Sequence, residues 1–251
     1  MMHKIAFFSV ILLCACSGSK KNSTEKSEIV LLSEAIQNDP SNTILLLDRA
    51  NYNRELNNLE SALFDLNQCL QLDSLNSEFH YSVAEIYFEL SKRPNAIGKY
   101  PSLVKNHLTR AIELDNKDQR YHALLGELLL AYAKYKEAID CFNISLKIDY
   151  NQERSHMLMG YAFKQLGQDD NAINCFRNSI NVNPDFKEGY VQLGQIFHVK
   201  GDTNAVLYYN NALQLDSTDE MTLYNKALFY QSISNWNAAL EAYSDLHKVN
   251  Y

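Results

Sequence analysis

The chain is expected to be all-α, a stack of helix–turn–helix repeats. Three observations carry this expectation. Glycine (8) and proline (4) are scarce among 251 residues, too few for the many tight turns of a β-sandwich or barrel. Small residues recur at fixed spacing: Ala62, Ala138, Ala172 and Ala239 each open an apolar helical stripe, and twelve residues upstream of them stand Ala50, Gly126, Gly160 and Ala227. The step from Ala138 to Ala172 is 34 residues, the length of one repeated pair of helices. With 46 % hydrophobic and 21 % charged residues the composition is globular. The net charge of −7 disfavours nucleic-acid binding, which needs a basic face to neutralise phosphates.

Residues 1–15 read as a secretory signal. Lys4 supplies the positive start, and Ile5–Ala15 is an apolar run broken only by Ser9. The run is shorter than the roughly 20 residues a membrane span needs. It ends in Leu13-Cys14-Ala15-Cys16, which resembles the bacterial lipobox. The resemblance implies that Cys16 is lipidated (palmitate among its acyl chains) and becomes the mature N-terminus. Residues 16–27 follow as a polar stretch without periodicity, expected to be a flexible tether. Ser17 stands where enteric lipoproteins retained at the inner membrane carry Asp. The expected location is therefore the bacterial cell envelope, lipid-anchored in the outer membrane and facing the periplasm.

The remainder is expected to hold a capping half repeat at 28–42 and six repeats at 43–76, 77–118, 119–152, 153–186, 187–219 and 220–251. The eighth position of each is small: Ala50, Ala84, Gly126, Gly160, Gly194 and Ala227. The twentieth is Ala62, Val104, Ala138, Ala172, Ala205 and Ala239, and the twenty-fourth is large: Leu66, Leu108, Phe142, Phe176, Tyr209 and Tyr243. Small residues let paired helices approach, and large ones fill the space between pairs. This pattern resembles the tetratricopeptide (TPR) repeat, most fully over 153–186, where Gly160, Phe163, Gly167, Ala172, Phe176, Ser179 and Pro184 stand at family positions. The resemblance implies a TPR solenoid wound as a right-handed superhelix. Departures are few. Arg49 and Lys226 occupy the usually apolar seventh position in the terminal repeats, where one face is expected to meet water. Asp169 replaces an aromatic, and the second repeat carries eight extra residues between its helices.

No enzyme motif is present: no phosphate loop, no His-Glu-x-x-His and no Gly-x-Ser-x-Gly. The chain is expected not to be an enzyme and to use no cofactor or metal. His80, His122 and His156 share the fourth position of successive repeats, about 10 Å apart in stacked helices, too far to share an ion, and are read as packing residues. Cys69, Cys141 and Cys175 are read as shielded small hydrophobes.

Function in TPR solenoids sits on the concave face, which the resemblance assigns to first-helix positions 2, 5, 9, 12 and 13. The candidate partner-binding groove is Tyr81, Glu85, Arg120, Glu127, Arg154, Met157, Tyr161, Lys164 and Gln195. The Lys-Asn pattern of chaperone-tail clamps is absent at positions 5 and 9. The inserted loop Ser91–Pro101 offers Arg93, Lys99 and Tyr100 as further contacts. Helix Asn237–Tyr251 is expected to leave apolar surface uncovered, which favours packing against a second copy, as a homodimer, or against a partner. The sequence thus reads as a membrane-anchored scaffold that holds protein or peptide partners. Similar TPR lipoproteins recruit peptidoglycan enzymes or proteases, or act as pilotins in secretin assembly.

Overall fold

A computed structural model of the chain describes residues 21–96 and 98–250. The expected signal segment 1–15 and Cys16, the expected lipid acceptor, lie outside the described residues. So do the first part of the tether and Tyr251. Every regular element among the described residues is a helix, and the chain divides into two units at Leu72. No described helix is long and apolar enough to cross a membrane.

The first unit contains α1 (Lys21–Asn38), α2 (Thr43–Glu55) and α3 (Leu59–Leu72), each packed on the next. Helix α1 begins seven residues before the expected cap at 28, so Lys21–Ser27 is helical rather than a flexible tether. No glycine or proline separates Ser19 from Asp39, and polar residues extend a helix readily once apolar packing has nucleated it. Arg49 does not turn to water as its edge position suggested. Its guanidinium is 19 % exposed and makes a two-point pair with Asp65, which is 2 % exposed, at 2.7 and 2.9 Å. Arg49 also donates to the Ser33 hydroxyl at 3.2 Å.

The second unit contains five helix pairs. They are α4 (Ser77–Ser91) with α5 (Pro101–Leu114), α6 (Gln119–Ala131) with α7 (Tyr135–Ile148), α8 (Glu153–Gln165) with α9 (Asp169–Val182), α10 (Lys187–Val199) with α11 (Asn204–Leu215), and α12 (Glu220–Ser232) with α13 (Trp236–Asn250). Each helix packs on the next, and α4 with α6, α6 with α8 and α10 with α12 also touch. The register is set by size. A Cβ built on Gly126 would meet the Phe142 ring at 2.8 Å, on Gly160 the Phe176 ring at 2.6 Å, and on Gly194 the Tyr209 ring at 2.5 Å. The eighth position therefore lies against the twenty-fourth, and hydrogen is the side chain that leaves room for the ring. Ala138, Ala172 and Ala205 are fully buried beside these contacts.

Turns repeat as well. Within pairs, Ala133 and Ser234 adopt positive φ of 55° and 57°, where Gly167 and Gly201 stand in the other copies. Between pairs an Asx turn recurs: Asp73, Asp115, Asp149, Asn183 and Asp216 each accept a bond from the backbone N–H two residues on. Asn76 and Asp118 then cap α4 and α6.

His122 and His156 are buried. His80 differs, because its Nδ1 lies 3.1 Å from His107 Nδ1, and its Nε2 lies 3.2 Å from the Ser74 carbonyl oxygen that can accept its proton. Cys69 and Cys175 are buried thiols, while Cys141 is only half-buried, and none of the three is bonded to another.

Candidate partner-binding groove

The first helices of three successive pairs bring five of the candidate residues to one cavity. Tyr81 and Glu85 come from α4, Arg120 and Glu127 from α6, and Arg154 from α8; with Phe88, Glu89, Lys92 and Glu153 they line about 410 Å³. Positions 2, 5 and 9 converge because residues three and four apart share one helix face, and the stacking repeats that face from pair to pair.

The cations in this cavity are held by the protein itself. Arg154 forks onto Glu127 at 2.9 and 3.0 Å. Arg120 binds Asp118 at 2.6 Å and Glu78 at 2.6 and 3.1 Å, and its guanidinium lies 4.9 Å from the Tyr81 ring centroid. Hydrogen bonds to Asp118 and Glu78 raise the Arg120 pKa above its ordinary value. Lys92 Nζ sits 4.3 Å from the centre of the Phe88 ring. The Tyr81 hydroxyl donates to Glu85 at 3.0 Å.

Lys164 and Gln195 occupy a second cavity of about 310 Å³ with Asp169, His198, Tyr209 and Asn225. Lys164 donates weakly to Gln192 and Gln195 at 3.3 and 3.4 Å, and burial lowers its pKa. Asn225 Nδ2 is buried there without a hydrogen-bond partner, one unmatched donor in a cavity that also holds the Asp169 carboxylate. The sequence reading missed Asn225, since an asparagine on a half-buried helix face carries no distinguishing pattern.

Two candidates stand elsewhere. Met157 is 8 % exposed and packs in the core with Ala172, Phe176 and Leu193, because its helix face turns toward the neighbouring pair. Tyr161 is half-buried with its ring edge on Phe176, 5.8 Å between centroids. None of the loop candidates lines the cavity. Tyr100 stacks on Tyr87 at 5.7 Å, Lys99 lies over the Tyr100 ring at 5.1 Å, and Arg93 is half-exposed within a chain of tight turns that buries Ala96. Tyr100 thus fastens the loop to α4. At the far edge Leu240 is 73 % and Trp236 64 % exposed, whereas Ala242 is buried.

Residues 160–201 match the family model of the TPR repeat. No curated protein sequence matches the chain. Among solved structures, PilF of Pseudomonas aeruginosa is similar at 16 % identity and a TM-score of 0.70, covering 84 % of this chain and 92 % of its own. PilW, described as a widely conserved type IV pilus biogenesis factor, gives 16 % identity and 0.70 over 82 % and 92 %. YrrB, described as a TPR protein with an unusual peptide-binding site, gives 18 % identity and 0.59 over 78 % and 97 %. The fold is an all-α TPR solenoid.

Proposed function

We propose that this chain is a non-catalytic adaptor whose groove along α4, α6 and α8 holds a segment of a partner protein, and that Cys16 ties it to a membrane of the bacterial envelope. One observation carries the groove reading: Tyr81, Glu85, Arg120, Glu127 and Arg154, from three separate helices, line a single open cavity. It combines the edges of two largely buried aromatic rings with placed charges, a mixture found at interfaces. The anchor rests on Lys4, the apolar run and the Leu13-Cys14-Ala15-Cys16 box.

Replacing Ala123, which lines this cavity, by Trp tests the groove. The expected result is unchanged helicity with partner capture lost; capture at normal strength would move the site elsewhere. Cys16→Ser tests the anchor. The variant should leave the membrane fraction, and retention after a salt wash would overturn the lipid assignment. The likeness in fold to PilF and PilW supports a second reading, an assembly factor for an outer-membrane secretin. Deleting the gene should then deplete secretin multimers, whereas a general adaptor leaves them intact.

A further inference from the structure

We infer that the cavity between α4, α6 and α8 receives a cationic segment, a lysine or arginine side chain of it taking the place of Lys92 over Phe88 among the cavity's carboxylates. This rests on the groove reading above and names the chemistry of its occupant.

The charge balance points one way. Glu85, Glu89, Glu127 and Glu153 line the cavity against Lys92, Arg120 and Arg154. Two further carboxylates, Glu78 and Asp118, hold Arg120 from behind, so that corner remains negative despite its guanidinium. Arg154 is matched by Glu127 in a two-point pair. An acidic guest would have to share the Arg154 guanidinium with Glu127 while facing the remaining carboxylates of the cavity. A cationic guest meets an excess of carboxylate and leaves both arginine pairs in place, displacing only Lys92 from the Phe88 ring.

The rings point the same way. Each aromatic face at this site already carries a cation, Arg120 at 4.9 Å from Tyr81 and Lys92 at 4.3 Å from Phe88. Those distances lie within the roughly 6 Å over which a ring face attracts a cation. Lys92 follows the last turn of α4 on a flexible stem, and a guest ammonium or guanidinium can take its place.

The test uses the full chain and two fluorescein-labelled dodecapeptides that differ only in carrying four lysines or four glutamates around a central tyrosine. At low ionic strength the lysine peptide should bind at least tenfold more tightly, and its affinity should fall as salt rises. Exchanging both Glu85 and Glu89 for Gln should weaken it at least fivefold. E137Q with D140N, on the outer face of α7, should leave it unchanged. A glutamate peptide that binds as tightly, or an E85Q/E89Q protein that binds normally, overturns the inference. Ala123→Trp fills the cavity and separates the two claims. If both peptides bind equally and A123W abolishes both, the groove stands and the cationic preference falls. If the lysine peptide binds A123W undiminished, the groove reading itself falls.

Discussion

Adding one methyl group at Gly160 should destabilise the second unit, although alanine is the better helix former. The Cβ would stand 2.6, 2.8 and 3.0 Å from three carbons of the Phe176 ring. That ring is fully buried and braced by Tyr161, so it cannot swing aside. Overpacking of this kind costs about 1–3 kcal/mol, and alanine returns about 0.5–1 kcal/mol over glycine in a helix interior. The expected net loss is about 1–2 kcal/mol, roughly 3–6 °C in Tm for a chain of this size. Urea denaturation followed by circular dichroism at 222 nm reads it. The decisive comparison is the same change in an F176L background, where the ring is gone. Ala84 and Ala50 stand at the same register with Leu108 and Leu66 at the twenty-fourth position, so alanine opposite leucine fits this fold. In that background Gly160→Ala should therefore stabilise, by about 0.5–1 kcal/mol. Stabilisation in the wild-type background, or an equal loss in both, refutes the size argument.

Ala133 sits at φ 55°, a conformation costly to any residue with a Cβ, so Ala133→Gly should raise stability by about 1 kcal/mol in the same assay; a loss would contradict the turn geometry. Asp65→Asn breaks the Arg49 pair and should cost roughly 2 kcal/mol, less than a fully buried pair because Arg49 is 19 % exposed; R49M combined with D65L should recover most of it, and no recovery would assign Asp65 another role. Burial holds the pKa of His107, His122, His156 and His198 below 6.5, with His80 adding to the effect at His107. The unfolded chain therefore binds more protons there, and stability is present above pH 6.5 and lost as pH falls through the folded values; an equal urea midpoint at pH 7.5 and 5.5 would contradict this.

The repeat was readable because it is local. A small residue at position eight and a large one at twenty-four recur along the chain, and Gly160 against Phe176 follows from size alone. The groove was legible only in part. Tyr81, Glu85, Arg120, Glu127 and Arg154 converge as their register implies, but Met157, at the fifth position of α8, turns into the core. Helix rotation decides between groove and core there, and a single residue number does not encode it. Ion pairs were the least visible feature. Arg49 finds Asp65 across 16 residues, Arg154 finds Glu127 across 27, and Arg120 finds Glu78 across 42. Such partners are fixed by stacking, which composition and spacing do not specify. The start of α1 at Lys21 was hidden for a different reason: polar residues without periodicity read as coil, yet nothing among them breaks a helix.

Occupancy of the groove in living cells is the most direct measurement. A photo-crosslinking benzoylphenylalanine at position 123 lies in the cavity, and one at position 137 lies on the exposed face of α7. The account predicts a discrete crosslinked adduct from position 123, absent from position 137 and lost when Glu85 and Glu89 are both replaced by Gln. Adducts from position 137 alone, or none from position 123, would contradict it.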